Sequence, residues 1–322
     1  NNSGNNYSGA TIINAGTIRI NTSAGALSPN SAVTVNSGGQ LYLNVASATF
    51  ANNMNIAGGT GAGNFGALRL DNSGTASGTI TLSADSRIGA FNDSSSTISG
   101  RITGSYGIEF YRAANKNSMV ATTTVQNAGA ASDYTGNTTV NLVNHLTSTP
   151  ANMQHILKLG ANDQIPDGAG KGNLILNGGS VSNLTVFDLN GFSETINGLA
   201  NTAAAGARVN NSAAGASTLT LGAGNATASF SGVIQNTGGG ALSLVKTGSG
   251  TQTLSGANTY SGNTSLEATD NSTAAGRNIR STWLVISMSS PLRKFGLIPP
   301  AALLTRRNLI PSRAIVCKPM VD

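Results

Sequence analysis

Cysteine is missing from the first 276 residues of this chain, which excludes a disulfide framework, a thiolate metal site and a cysteine nucleophile there; Cys317 is the only one. Charge is scarce, at 9% of 322 residues, and aromatic side chains make up only 5%. That is too little of either for an ordinary globular surface around an aromatic core. Apolar runs before residue 277 are short and broken by glycine or polar residues, so none is long enough to cross a bilayer as a helix. The chain opens on Asn1 without a basic-then-apolar leader, so any export signal is expected upstream of it or removed.

What is present is glycine, at 41 positions, with abundant Asn, Ser, Thr and Ala. Such a composition could describe a disordered chain, but aliphatic residues recur throughout at regular spacing, and disordered chains lack that. The net charge of +6 invites a nucleic-acid or membrane-surface reading until it is located. Residues 1–276 hold 10 Lys and Arg against 11 Asp and Glu, a net of −1; residues 277–322 hold 8 against 1, a net of +7. The same boundary leaves 40 of the 41 glycines before it and 5 of the 8 prolines, Trp283 and Cys317 after it. Two unlike texts are therefore joined. The body is taken as residues 1–268 and the basic, Pro-containing tail as residues 269–322, which is expected to be disordered and outside the fold. A reading-frame shift near residues 268–278 and a terminal sorting segment both fit such a change. Arg293, Lys294 and several prolines interrupt the apolar stretch Leu284–Leu304, which argues against a membrane helix. The tail has no recognisable nucleic-acid-binding module.

Within the body a phrase repeats. NNYSGATIIN at 5–14, SDYTGNTTVN at 132–141 and LSGANTYSGNTS at 254–265 are anchored by Tyr7, Tyr134 and Tyr260, which lie 127 and 126 residues apart. The repeat phrases extend over about 5–20, 123–141 and 246–266. Ile98–Ile102 aligns with Phe230–Ile234 and Ile108–Arg112 with Leu242–Lys246, so a long internal duplication is expected. The local signal is period two: Ile18 and Ile20 flank Arg19, Val33 and Val35 flank Thr34, Leu242 and Leu244 flank Ser243. Alternation over a few residues, bounded by Asn-Gly, Gly-Gly or Ser-Gly, reads as short half-buried strands joined by tight turns. Helical spacing is confined to a possible turn at Asn152–Leu159. A sandwich has no reason to repeat at a fixed long interval, whereas a solenoid does. The expected fold is all-β: a right-handed parallel β-helix (β-solenoid) with coils of about 20 residues, and about six coils in each 126-residue unit. Stacked coils bring equivalent outward positions about 4.8 Å apart, where like charges repel and Asn, Ser or Thr form ladders, which accounts for the low charge.

GSGTQTLSGANTYSGNTS, residues 248–265, preceded by Lys246-Thr247, resembles the autotransporter-associated β-strand repeat, also called the passenger-associated transport repeat. The positions that carry the likeness are Lys246, Gly248, Gly250, Leu254, Gly256, Asn258, Tyr260 and Gly262, with Tyr7 and Gly9, and Tyr134 and Gly136, in the looser copies. Gln252 departs from the pattern, standing where the family usually has an inward Leu. The resemblance implies a right-handed β-helix in a passenger segment of an exported bacterial surface protein, located outside the cell or at the outer-membrane surface. Any translocator barrel or membrane anchor would lie outside this segment.

Chemistry is sparse. Asp163 and Asp167, with Lys171, form the densest polar cluster, within a proline and glycine turn whose carboxylates are expected to be solvated. His145 and His155 lack metal-ligand spacing and are expected at the surface. GAGKG at 168–172 lacks the first glycine and the Ser or Thr of a phosphate loop. No metal, cofactor, nucleic acid or catalytic residue is expected. Arg19, Arg101, Arg112 and Lys246 are expected to face outward. Tyr42, Tyr106 and Tyr111 could stack on sugar rings, whereas Tyr7, Tyr134 and Tyr260 are expected to pack at a recurring corner. The reading is a non-catalytic structural or adhesive segment whose partner is a host-surface, matrix or polysaccharide ligand. The alternative is a carbohydrate-active or carbohydrate-binding β-helix.

Overall fold

The computed structural model describes residues 4–58, 64–91, 93–114, 119–127, 129–144, 152–180, 182–203, 205–267 and 283–286. All strand pairs named among these residues are parallel, and the chain winds through three faces in a fixed order. The first face holds Thr11–Ile13, Val33–Val35, Met54–Ile56, Ile80–Leu82 and Ile102–Gly104. It resumes with Glu194–Ile196, Ser217–Leu221, Leu242–Lys246 and Thr264–Leu266. The second runs as eight paired strands from Gly16–Ile20 to Leu199–Asn201, then as Ala228–Phe230, Thr251–Leu254 and Trp283–Ile286. The third is an eight-stranded sheet from Thr49–Phe50 to Val233–Asn236. This is a parallel β-helix.

Between its two strand groups the first face continues as irregular chain. Asp133 and Thr135 donate their N–H groups to the carbonyls of Ile102 and Gly104, at 3.0 and 3.1 Å. One coil further, Gln164 and Ile165 lie over the carboxylate of Glu194. Counting five strands, these two irregular passes and four strands, the chain makes eleven passes. Coil length is less uniform than the sequence suggests: register partners are 20 residues apart at Leu244 and Thr264 but 36 apart at Thr138 and Leu174.

The interior is built from columns. Leu41, Leu68, Ile88, Phe110, Val140 and Leu176 occupy one register line of the second face, and all are buried. Burying each such side chain is worth about 1.5–3 kcal/mol, so the stack is held mainly from within. Outside, the ladders expected of a low-charge surface are present: Asn44 donates to Asn21 at 2.6 Å and Asn72 to Asn44 at 2.9 Å.

Several expectations are corrected. Asn152–Leu159 is no helical turn; Met153–Leu159 is a strand whose alternate residues Met153, His155, Leu157 and Leu159 point inward. Four residues of the tail, Trp283–Ile286, pair with Thr251–Leu254 and add a strand to the second face. The three Tyr phrases do not lie at one corner. Thr11 and Thr264, which follow the first and third phrases, begin first-face strands, whereas Thr138 begins a second-face strand. From Tyr7 to Tyr134 the chain completes five coils and one further face, so that spacing is not a whole number of coils; Tyr7 to Tyr260 spans ten.

Gln252 explains its own departure from the repeat. The second-face sheet breaks after Leu199–Asn201, which has no ladder partner in Ala228–Phe230 one coil later. Gln252, two coils above Leu199 and buried, reaches down to it: Nε2 donates to the Leu199 carbonyl at 2.9 Å, and Oε1 accepts from the Leu199 N–H at 3.0 Å. The amide thus replaces the missing ladder bonds. Gln252→Leu, although it restores the usual repeat residue, should destabilise the protein by about 2 kcal/mol because two buried backbone groups lose their partners; urea denaturation of the two proteins measures the difference.

Candidate functional site

The repeat phrase builds a corner. In each copy the tyrosine hydroxyl meets the hydroxyl of the threonine four residues on: Tyr7 with Thr11 at 3.0 Å, Tyr134 with Thr138 at 2.6 Å, Tyr260 with Thr264 at 2.7 Å. A four-residue separation across a turn lets the ring lie inward while its polar tip closes on the first residue of the next strand. Tyr134 is buried, which pushes its ionisation upward; Tyr260 is largely covered and packs on the core; Tyr7, in the first coil, is 42% exposed.

The glycines between have different reasons. A Cβ at Gly136 would strike the backbone of Gly107, and one at Gly262 the Leu242 carbonyl, so both mark close approach of successive coils. Gly250 and Gly256 are tight against the carbonyls of Ala226 and Gly232, and Gly248 adds a positive φ of 67°. Gly9 has nothing near its missing side chain. Leu254 is fully buried, and the Asn258 side chain accepts from the Ile234 N–H at 2.9 Å.

Lys246 is not outward. It follows Leu242 and Leu244 in the same inward phase, is 1% exposed, and its ammonium donates to the carbonyls of Thr247 and Gly248, holding the turn that follows. Arg112 corrects the same expectation. It lies in phase with Ile108 and Phe110, between Ala90 and Leu142 in an inward column, and is fully buried. Burial lowers its pKa to about 10.

Around Arg112 is a polar cluster that sequence reasoning missed. His155 is buried, not at the surface; His145 lies outside the described residues. His155 Nδ1 donates to the Asn141 carbonyl at 3.0 Å, leaving Nε2 to accept from the Thr123 hydroxyl at 3.2 Å. Thr123 in turn accepts from Ser96 at 3.3 Å and from Arg112 Nη2 at 3.4 Å. Burial and the Arg112 charge push His155 down to about 3. The cluster is sealed in the coil interior and is suited to fixing neighbouring strands.

The acidic turn gains a member. Asp163 and Asp167 are exposed, and on the next coil Glu194 is buried, its two oxygens accepting the N–H groups of Gln164 and Ile165 at 2.8 and 3.0 Å. Burial pushes Glu194 up to about 8; the two N–H donors oppose the rise, and Asp163 and Asp167 add to it. Asp167 is also raised, by partial desolvation and by Asp163. Lys171 points away to the Asp133 carbonyl. Among the described residues no group of three or more His, Cys, Asp or Glu could hold a metal ion.

The tyrosines considered for sugar stacking are not assembled for it. Tyr42 and Tyr111 share an outward column of the second face, separated by Arg69 and Gly89. Guanidinium groups lie 4.0 Å from both rings, from Arg69 on Tyr42 and from Arg87 on Tyr111, and Arg19 lies 4.9 Å from Tyr42. Tyr106 stands apart at 41% exposure. Ion pairs finish this surface, Arg69 with Asp71 and Arg87 with Glu109, while Arg101 pairs with Asp133 at the first face.

Parallel three-sided coils closed by recurrent Tyr-x-Gly-x-Thr corners define a β-solenoid of the repeat-built type. The model of the passenger-associated-transport-repeat family matches residues 2–20 and 244–268, so two short segments of the chain are similar to this repeat. Those segments hold the first and third phrases, which share one corner ten coils apart; the middle phrase, at a different corner, is not matched. Comparison with curated proteins and with solved structures finds no match.

Two titrations of opposite sign are expected to shape stability. Unfolded His binds a proton near pH 6.5 but native His155 only near 3, so its contribution is full above pH 6.5 and is lost as pH falls toward 3. Native Glu194 keeps its proton to about 8 and unfolded Glu only to about 4.3, so its contribution is lost as pH rises between them. The two offset each other from about pH 4.3 to 6.5, leaving a plateau with a decline on either side of at most about 1.4 kcal/mol per pH unit. Urea denaturation across pH 3.5–8 should show His155→Gln flattening the acid limb and Glu194→Gln the alkaline limb.

Proposed function

We propose that this chain is a non-catalytic structural and adhesive passenger segment of an exported surface protein, a rigid stalk that displays its outer faces to the surroundings. The observation that carries the reading is the in-phase return of the matched repeat at both ends of a continuous stack of coils. Such a stack grows by adding coils without changing its cross-section, so length is its natural variable. Folding of coil upon coil outside the cell would also help draw the chain outward. The outward positions are mostly Asn, Ser and Thr, and the cationic residues at the tyrosine ladder are paired or stacked, which suits a solvated shaft.

A carbohydrate-active enzyme is the second reading, favoured by one observation: Asp163, Asp167 and Glu194 on adjacent coils, with Glu194 able to carry a proton near neutrality. Against it, both Glu194 oxygens are committed to backbone donors and the side chain is buried, where a general acid must reach its substrate.

Protease applied to intact source cells should remove the segment while sparing a cytoplasmic marker, and scattering from the purified chain should give a particle elongated by about 50 Å, eleven passes at ~4.8 Å each. Resistance to the protease, or a compact particle, would overturn the stalk. Incubation with uronate-containing polysaccharides should release no reducing ends or unsaturated products. Turnover that disappears in Asp163→Asn and Asp167→Asn would establish the enzyme instead.

A further inference from the structure

The third face carries a groove unlike the rest of the surface. It has a volume of about 510 Å³ and is lined by residues from Thr122 on one strand to Gln235 on the fifth, so it runs along the solenoid axis. Four steps between neighbouring strands make it roughly 19 Å long, at ~4.8 Å each. Its floor is aliphatic: Ile156 and Val186 are register partners in one outward column, with Leu184 beside them, and Ile156 and Leu184 are its accessible part because Val186 is largely covered. Outward Ile, Leu and Val in a row contrast with the Asn, Ser and Thr found at most other outward positions.

Among the described residues, two cations of this groove have no carboxylate partner. Lys158 is the register neighbour of Asp188, where a ladder ion pair would be easy to form. Asp188 is instead committed to Ser212 of the following coil, accepting from its N–H at 3.0 Å and its hydroxyl at 2.6 Å, and to the Asn190 N–H of its own turn at 3.0 Å. Arg208, two strands beyond Lys158, donates Nη1 to the Ala207 carbonyl at 2.8 Å, and neither cation is among the ion pairs of the described residues. By contrast, Arg69, Arg87 and Arg101 on other parts of the surface each have a carboxylate within 2.7 Å or less. The walls add Gln154 and Gln235, whose amides both donate and accept.

We propose that this groove binds a linear acidic polysaccharide, one bearing carboxylates on alternate sugars. The aliphatic floor receives the C–H faces of the sugar rings, the amide walls satisfy ring hydroxyls, and Lys158 and Arg208 take successive carboxylates. Their strands are separated by two coil steps, about 10 Å along the axis, which is comparable to a two-sugar repeat in an extended glycan. An extended peptide is the poorer occupant. The backbone of this face is already paired within the sheet, so it offers no free edge for strand addition, which is how an extended chain usually gains main-chain affinity. This inference gives the adhesive part of the function proposed above a ligand class and rests on that part alone; the stalk and its export are judged separately by protease accessibility and particle length.

Titration calorimetry of the full chain with a hyaluronan decasaccharide tests the inference, with a neutral cello-oligosaccharide and poly-glutamate as comparison ligands. Binding is expected to the hyaluronan fragment only, to weaken with added salt, and to fall at least tenfold in Lys158→Gln/Arg208→Gln. Ile156→Thr, which alters the floor without touching charge, should also weaken it, and Arg101→Gln, remote from the groove, should not. Circular dichroism confirms that each variant remains folded. Absence of hyaluronan binding, equal affinity in the Lys158/Arg208 variant, or equal binding of poly-glutamate would overturn the proposal.

Discussion

Each residue of a ladder in this molecule has its register partner of the previous coil about 4.8 Å beneath it and that of the next coil the same distance above. The rest of the structure follows from that constraint. An inward position must be apolar in coil after coil, or must bring its own partners, since it faces a column of its equivalents and no water. An outward position cannot repeat a charge without repulsion, but it can repeat Asn, whose amide is donor on one side and acceptor on the other. The Asn21–Asn44–Asn72 ladder and the Leu41–Leu68–Ile88–Phe110 column are the outer and inner expressions of the same geometry.

Most exceptions to the column rule are compensated locally, whereas Arg112 keeps Nε and Nη1 buried without a hydrogen-bond partner. Lys246 enters the interior and gives its protons to the two carbonyls of its own turn. Gln252 enters it where the second-face sheet is broken and replaces the absent ladder across two coils. Glu194 enters it at the start of the first-face strand that follows a pass without one, and its carboxylate does for Gln164 and Ile165 of that pass what a neighbouring backbone would otherwise do. Arg112 and His155 meet through Thr123, so that a cation, an imidazole and a hydroxyl share one sealed volume. Polar side chains thus repair the ladder at the places where coil length or strand pairing changes.

The parallel solenoid was legible in the sequence because period-two alternation and glycine-bounded turns are local signals, and the third repeat phrase is sharp enough to be matched as a family repeat. The inward polar residues were legible in principle. Arg112 keeps phase with Ile108 and Phe110, His155 with Met153 and Leu157, and Lys246 with Leu242 and Leu244; residue type was allowed to outweigh phase, and phase was the better guide. The partnership of Glu194 with Gln164 and Ile165 could not be read in the same way, because coil lengths of 20 to 36 residues decide which turns are stacked and no local pattern encodes them. For the same reason the 127-residue spacing of Tyr7 and Tyr134 suggested a duplication, while the coils between them place the two tyrosines at different corners. The groove of the third face was hidden too, since it is assembled from five strands that are far apart in sequence.

A stack held by register is well suited to a passenger segment: its length can grow without redesign of the cross-section, and its outer faces can vary while the columns stay fixed. Register itself is the central claim, and disulfide trapping tests it directly. In a Cys317→Ser background, Thr34→Cys with Asn55→Cys places two thiols on register partners of adjacent coils, within bridging distance, whereas Thr34→Cys with Ala57→Cys displaces the second by two residues along the strand. Mild oxidation should close the first pair within one chain and leave the second open. Failure of the first pair to close, or equal closure of both, would contradict the register on which the whole account depends.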